Sequence, residues 1–357
     1  MKLSIVDLAT IAPGTTATDA FNDAVETARQ ADALGYHRIW FAEHHMASSG
    51  ASAHPELLIA AAAAQTTGIR VGSGAVLMNH YSPLTVAEMF KQLEAMYPGR
   101  IDLGMGRATS GPSIDLALRR DRKSQPVDDH SAQISEVLAW LYNAFPDGHP
   151  FANRPLIPSV PTVPETWLLG SSPGGAYLAA HLGIGYTFAG FINPMMAASA
   201  LRTYRERFAV TPFGTGVPRA MLAANVSVGE TPEEGERLVS SAKGFYARLG
   251  RVGAAATVPT AGEAMQEMRD NQRAEPTAIV DGVWPRFIAG DPQQVKATLD
   301  EMLEISDADE LMVQDLIASP EDRRRSHALL AAAYSLDPRE GMRGESPKCH
   351  AAQGLGR

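Results

Sequence analysis

Cysteine is almost absent from this chain of 357 residues: the one thiol belongs to Cys349, in a polar stretch near the C-terminus. A single cysteine can form neither an intrachain disulfide nor a zinc site built from cysteine ligands. Such sparse cysteine usage is typical of a reducing compartment, so we expect a cytoplasmic protein.

The sequence also lacks a continuous apolar run long enough to cross a bilayer, and its first residues read as a β-strand instead of a signal peptide. It contains no long Lys/Arg run, and its formal net charge is -9. Binding to nucleic acid or to a membrane surface requires a concentrated basic patch. We therefore expect neither partner, and look instead to small molecules or a second copy of the chain.

A dinucleotide-binding turn is missing as well. The first strand, 3–8, is followed by Ala9–Gly14, which does not contain the Gly-x-Gly-x-x-Gly spacing. This absence argues against a doubly wound sheet of the Rossmann type, which is the main alternative among α/β folds.

Strand-like and helical stretches alternate almost from end to end. With 45% hydrophobic and 20% charged residues, the composition suits one large α/β domain. The alternation predicts parallel βαβ units, and hence a (β/α)8 TIM barrel over residues 1–336. The predicted strands are 3–8, 37–42, 70–78, 101–105, 166–169, 185–189, 220–228 and 310–313.

Two segments do not fit a compact barrel. Residues 250–288, between strands seven and eight, are rich in Gly, Ala, Thr and Pro, and their length predicts a mobile lid or a disordered insertion. Residues 337–357 are polar and Gly-rich, and we expect a disordered tail there.

The C-terminal ends of barrel strands carry catalytic groups, because a rigid core holds side chains there beside an open cleft. Strand two runs into Glu43, His44 and His45. These residues could serve acid/base chemistry, bind a metal or form a polar loop. Adjacent histidines on an extended strand point to opposite sides, so the pair cannot easily chelate one ion.

Strands three and four end in small residues and an arginine. Gly72 and Gly74 indicate either close approach of a flat ligand or tight barrel packing. The following segment 79–81 reads as a solvated turn or as a wall facing substrate. Arg107, after strand four, could be a forked donor for an oxyanion such as phosphate, or could form a surface salt bridge.

Strand five passes into its helix through Ser171, Ser172 and Gly175. Free backbone N–H groups, hydroxyls and the helix dipole make such a junction an anion site, although a helix start without a ligand looks similar. Because Arg107 follows the neighbouring strand, we expect it to close on one phosphate together with Ser171–Gly175.

With these motifs in place, the chain resembles the bacterial luciferase-like family of flavin-dependent monooxygenases. The resemblance covers about residues 1–336 and is strongest in the first 110. It rests on four motifs in the family's order and at its spacing: Glu43–His45, Val71–Ala75, Tyr97–Arg107 and Leu169–Pro173.

The resemblance implies reduced FMN at the C-terminal ends of the strands, supplied by a separate NAD(P)H:flavin reductase. Oxygen would add at flavin C4a, and the peroxide would transfer one oxygen atom to a small apolar organic substrate. The outcome could be aldehyde oxidation, hydroxylation or epoxidation.

The resemblance also implies roles for individual residues. His44 would be the catalytic acid/base, which suits an imidazole titrating near neutrality, and Glu43 would hold or orient it. Gly74 and Ala75 would form a non-prolyl cis peptide beneath the flavin ring. The phosphate would be bound by Arg107, Ser171, Ser172 and Gly175. No residue is assigned to a metal.

The chain departs from the light-emitting luciferases, and other functions stay open. Gly106 stands where those enzymes carry a reactive cysteine, and 109–113 does not match their sequence, so we do not expect light emission. One alternative is hydride transfer with the deazaflavin F420, and another is flavin binding without turnover. The least favoured is a metal-dependent barrel hydrolase. By analogy with the family, we expect a homodimer in which the Ala-rich helix at 57–64 contributes to the contact.

Overall fold

A computed structural model describes residues 1–107, 110–119, 121–123 and 128–339. The strands are β1 (Lys2–Asp7), β2 (Arg38–Phe41), β3 (Arg70–Ser73), β4 (Val76–Leu77), β5 (Ile101–Gly106), β6 (Glu165–Gly170), β7 (Gly185–Ala189), β8 (Ala220–Val228), β9 (Phe287–Gly290) and β10 (Glu310–Gln314). In the first half of the chain the helices are α1 (Ala17–Ala33), α2 (Pro55–Ala64), α3 (Pro83–Met96), α4 (Pro112–Leu118) and α5 (His130–Tyr142). The second half adds α6 (Pro173–Leu182), α7 (Pro194–Arg207), α8 (Pro232–Val252), α9 (Ala261–Glu267), α10 (Asp270–Arg273), α11 (Pro292–Ser306) and α12 (Pro320–Ala333).

Eight of these strands close into a parallel barrel in the order β1-β2-β3-β5-β6-β7-β8-β10. The circle is completed by pairing of β10 with both β8 and β1, so that Met312 is in register with Ala223 on one side and Ser4 on the other. The predicted (β/α)8 barrel is confirmed. None of the helices in the described residues is long and apolar enough to cross a membrane.

The helix starts follow local sequence signals. Thr231 caps α8, because its hydroxyl accepts a hydrogen bond from the backbone N–H of Glu234, and Pro232 occupies the first turn. Helix α1 begins with a capping box formed by Thr16 and Asp19.

The insertion at 250–288 contains ordered helices, which corrects the expectation of disorder. Helix α8 continues through Gly250 to Val252, and α9 and α10 follow before β9. Helix α9 packs closely on α8, where a Cβ added at Gly244 would lie 2.7 Å from the Cβ of Ala264. Arg248 on α8 also forms an ion pair with Glu267 on α9. Ala264, one of the small residues that suggested a loop, lies at this contact between the two helices.

The start of the expected tail is anchored, so that prediction is wrong for residues 337–339. Arg339 donates to the carboxylate of Asp32 at 2.8 Å and to the carbonyl oxygen of Tyr36 at 2.8 Å. Gly35 has a positive φ of 88° after the end of α1, and a Cβ there would lie 2.2 Å from the carbonyl oxygen of Asp337. Residues 340–357 lie outside the described residues.

Side chains alternate cleanly between the two surfaces of the barrel wall. On β2, Ile39 and Phe41 belong to the large core between strands and helices, whereas Trp40 and Ala42 belong to a separate interior cluster. The other buried members of the interior cluster are Val6, Trp167, Met221, Ala223 and Met312, with Leu8, Leu169 and Phe191 packed against them. This parity shows which residues beyond the strand ends face the mouth of the barrel.

A network of buried charges fills the N-terminal end of the barrel, and we call it the floor network. Arg38, of which 2% is exposed, binds Asp102 at 2.6 Å and Glu310 at 2.7 Å. Asp102 also accepts hydrogen bonds from Arg70 and from the indole N–H of Trp40. Burial alone would raise the pKa of Asp102, but Arg38 and Arg70 hold that pKa below its usual value.

Replacing Arg38 by methionine should destabilise the fold strongly, because Asp102 and Glu310 would lose a shared counter-ion away from water. Removing one partner of a buried ion pair costs about 3–5 kcal/mol. We expect a loss of this size in the free energy of unfolding, measured by urea denaturation.

The matched control is Arg29→Met, which removes a surface ion pair with Glu26 in which both side chains are about half exposed. It should change the free energy of unfolding by no more than about 0.5 kcal/mol. Equal losses in the two variants would show that the floor network is not a structural constraint.

Candidate active site at the barrel mouth

The predicted site residues lie at the C-terminal ends of four consecutive barrel strands. His44 follows β2, the Gly74–Ala75 pair follows β3, Arg107 follows β5, and Ser171 and Ser172 follow β6. These strands are neighbours in the closed sheet, so the residues share one half of the rim.

His44 faces the mouth of the barrel. It continues the parity of Trp40 and Ala42, which point into the interior. Its backbone N–H donates to the carbonyl oxygen of Ser52 at 2.8 Å, and solvent reaches its ring. Surrounding protein atoms nevertheless replace much of the water, and this desolvation lowers the pKa of His44 below 6.5. A neutral imidazole that solvent reaches can exchange a proton with a bound ligand.

Glu43 does not hold His44. Its carboxylate is buried and points to the opposite side, where it lies 2.6 Å from Nε2 of His45. It also accepts the backbone N–H of Leu77 at 2.9 Å. Residues two apart on an extended segment share a side, which explains why Glu43 partners His45 and not its immediate neighbour.

The network continues to His80, which sequence reasoning assigned to a solvated turn. The His80 side chain is only 2% exposed, with Nδ1 at 3.4 Å from Glu43 and Nε2 at 3.1 Å from Asp115. Hydrogen bonding to Glu43 is the largest influence that raises the pKa of His80, and the hydrogen bond to Asp115 adds to it. His80 is therefore more readily protonated than His44.

Glu43, His45 and His80 also form a group that could hold a metal ion, since one ligand atom from each lies within 4.8 Å of the others. Two imidazoles and a carboxylate are ligands that many transition metals accept. The separations of 2.6 and 3.4 Å from the Glu43 oxygen are those of a hydrogen-bonded network, however. We therefore assign it a supporting role behind His44.

The peptide bond between Gly74 and Ala75 is cis, as the family resemblance implied. Barrel packing accounts for the missing side chains nearby: a Cβ at Gly74 would lie 3.0 Å from the Cβ of Trp40, and one at Gly72 would lie 2.8 Å from Cδ1 of that ring. A Cβ at Gly106 would lie 3.1 Å from the Cβ of Ala75. Small residues thus line this part of the rim and leave a broad, shallow surface above Trp40.

The start of α6 presents free donors. Ser172 is the N-cap of α6, but its side chain makes no capping hydrogen bond, and Pro173 occupies the first turn. The Ser172 hydroxyl and the N–H groups of Gly174 and Gly175 are therefore available to an anion. A Cβ at Gly175 would lie 3.3 Å from the ring of Tyr186, so a side chain there would crowd the junction.

Arg107 is near this junction by strand register but is turned away from it. Met105 pairs with Leu168, which places Arg107 about level with Gly170 if the register continues. Its guanidinium binds Asp128 at 3.0 Å, with 63% of the side chain exposed. The predicted closure of Arg107 on Ser171–Gly175 is thus not formed here, and the alternative of a surface salt bridge describes the observed contact.

Comparison with known proteins agrees with this architecture. The model of the luciferase-like monooxygenase family matches residues 1–309. A luciferase-like monooxygenase of Escherichia coli strain K12 is 34% identical over 344 residues, covering 96% of this chain and 98% of that protein. An N-acetyl-S-alkylcysteine monooxygenase of Bacillus subtilis strain 168 is 38% identical over 242 residues, covering 68% and 72% of the two chains.

Among solved structures, the crystal structure of apo-MsnO8 superposes with a TM-score of 0.86 at 40% identity, covering 95% of this chain and 99% of that one. The structural similarity therefore extends over nearly the whole chain. The chain belongs to the luciferase-like monooxygenase family, and the expectation that it is a flavin-dependent monooxygenase is confirmed.

Proposed function

We propose that the protein is the oxygenating component of a two-component system, which receives reduced FMN from a separate NAD(P)H:flavin reductase. It would insert one atom of O2 into a small organic substrate. The observation that carries this proposal is the placement of His44, the Gly74–Ala75 peptide and the start of α6 on one half of the barrel rim.

The donor set at the start of α6 fits the phosphate of FMN. An unused hydroxyl on Ser172, free N–H groups at a helix N-terminus and a nearby guanidinium are the groups that phosphate prefers. Arg107 would have to leave Asp128, but an exposed ion pair of this kind contributes only about 0–1 kcal/mol. A phosphate contact can therefore compete for the guanidinium.

The flavin ring would lie against the small residues that follow β3 and that end β5. Gly74, Ala75 and Gly106 leave a surface on which a flat ring can rest, with His44 on the adjacent strand. When bound, reduced FMN supplies the electrons that activate O2. His44 would act beside it as the acid/base, and Glu43 would act indirectly, by fixing His45 and the segment that follows β2.

Water must be kept from the reacting centre. We propose that the segment 250–288 covers the active site. It contains the last turn of α8 together with α9 and α10, and it would move as one ordered unit.

The substrate is proposed to be small and largely apolar, because Leu8, Leu169 and Phe191 line the interior below the mouth. Aldehyde oxidation, hydroxylation and epoxidation all remain compatible with the site. The B. subtilis relative is named for N-acetyl-S-alkylcysteines, which makes thioethers a further class to test.

Hydride transfer with F420 is the second candidate, since it would use the same barrel without oxygen. Flavin storage without turnover is the third. We also propose a cytoplasmic homodimer in which α2 takes part, because Leu57 on that helix is 71% exposed. Neither nucleic acid nor a membrane is proposed as a partner.

If α6 and Arg107 hold the phosphate, FMN should bind much more tightly than riboflavin, which lacks it. Arg107→Ala should weaken FMN binding about tenfold to a hundredfold, the size of a charge-assisted contact, and leave riboflavin binding unchanged. Flavin fluorescence titration measures both affinities. Arg154→Ala, at an exposed arginine outside the rim, is the matched control. Equal affinity of the wild-type protein for FMN and riboflavin would rule out the phosphate site.

Turnover should depend on His44. With reduced FMN, 18O2 and a panel of aldehydes, thioethers and alkenes, we expect wild-type protein to add one labelled oxygen atom to at least one compound. His44→Ala should reduce that rate about 10²–10⁴-fold without changing FMN affinity, the usual contribution of a general acid/base. His181→Ala, an exposed histidine on α6, should have no effect. A protein that binds FMN but labels nothing would fit storage, and reduction of F420 would fit hydride transfer.

His44 and His80 should titrate with different pKa values. Burial lowers the pKa of His44 below 6.5, whereas Glu43 and Asp115 raise the pKa of His80 above it. Protonated His80 therefore contributes stability that is complete below about pH 6.5 and is lost as pH rises through its higher folded pKa. Ring 13C chemical shifts, assigned with His44→Asn and His80→Asn, measure both values. The reverse order of the two pKa values would contradict the assigned roles.

A further inference from the structure

The other half of the rim carries a polar group that the flavin proposal does not use. It consists of Asn225 on β8, Gln314 at the end of β10, Tyr246 on α8 and Arg286 just before β9, and we call it the Arg286 cluster. Asn225 donates to Gln314 at 3.1 Å. The Tyr246 hydroxyl interacts with the side chains of both Gln314 and Arg286. Four separate elements of the fold therefore meet here.

Arg286 has a fixed position and no counter-ion. Its Nε donates to the carbonyl oxygen of Phe191 at 3.0 Å, and its guanidinium lies 3.9 Å from the centre of the Tyr246 ring. No carboxylate in the described part of the chain forms an ion pair with it. By contrast, Arg38 and Arg323 are each matched by at least two acidic residues. A half-buried positive charge that is held in place but unpaired is suited to an anionic ligand.

Asn225 supplies a second unused group. The residue is fully buried, and its Oδ1 has no hydrogen-bond partner. Because Met221 and Ala223 on the same strand face the barrel interior, Asn225 faces it too. A buried acceptor without a partner costs about 1–3 kcal/mol, a cost that a ligand bearing an N–H or O–H group would remove.

An apolar surface lies next to this cluster. Phe191, whose carbonyl oxygen holds Arg286, packs with Leu8 and Leu169 against the interior cluster of the barrel. The cluster is built around β7, β8 and β10, whereas the proposed flavin site uses β2, β3, β5 and β6. A molecule seated here would reach the shared mouth from the side opposite the flavin phosphate.

We propose that the Arg286 cluster is the substrate-recognition site, and that the substrate is an organic carboxylate with an apolar body. Arg286 binds the carboxylate, Asn225 accepts a hydrogen bond from a polar group on the substrate, and Leu8, Leu169 and Phe191 contact the apolar part. This assignment rests on the proposed function and narrows its substrate to acids.

The test compares two probes of nearly the same shape, the anion 4-phenylbutanoate and the neutral 4-phenylbutanamide, by titration calorimetry on the flavin-free full-length protein. The wild type should bind the carboxylate more tightly. Arg286→Gln should weaken carboxylate binding about tenfold to a hundredfold and leave the amide unchanged. Arg286→Lys should keep part of the preference, because it keeps the charge but loses the fork. Arg202→Gln, at an exposed arginine on α7, should change nothing.

Three outcomes overturn the proposal. The first is a wild-type protein that binds neither probe or binds both equally. The second is an Arg286→Gln variant that keeps the preference for the carboxylate over the amide while its circular dichroism matches the wild type. The third is a loss of FMN affinity, with riboflavin unaffected, in Arg286→Gln, which would place the flavin phosphate at this cluster. Failure of the proposed function appears differently, as wild-type protein that does not bind FMN, whatever its response to the two probes.

Discussion

The floor network is the constraint on which the barrel depends. Arg38, Asp102 and Glu310 come from three different strands, and their mutual contacts fix how those strands are placed around the axis. Asp102 also orients the indole of Trp40. Trp40 in turn packs against Gly74, where an added Cβ would lie 3.0 Å from the Cβ of Trp40, so the buried charges support the packing below the rim.

Local pattern was enough to predict the barrel but not the contacts between distant residues. The eight parallel strands and the set of rim residues follow from periodicity and motif spacing. The partners of Glu43 do not, because His80 reaches it from the segment after another strand and is itself bound by Asp115. The alternation rule, applied to Glu43, His44 and His45 together, was the available signal that Glu43 and His45 share a side.

The insertion shows a different limit of sequence reasoning. Gly, Ala, Thr and Pro suggest a loop when they are counted by composition, yet Ala264 lies on α9, where it packs against Gly244 of α8. Strand β9 was not predicted from the sequence for a related reason: it is four residues long, and it pairs with the last part of β8. Composition describes a segment in isolation, whereas these features depend on what lies against it.

The filled interior of the barrel affects how ligands reach the active site. Trp40 and Trp167 meet edge to face above the floor network, and both are essentially inaccessible to solvent. In the described residues, these two indoles fill the barrel axis between the floor network and the mouth. A ligand that binds beside His44 at the mouth and is large therefore narrows the space through which a smaller second reactant can approach.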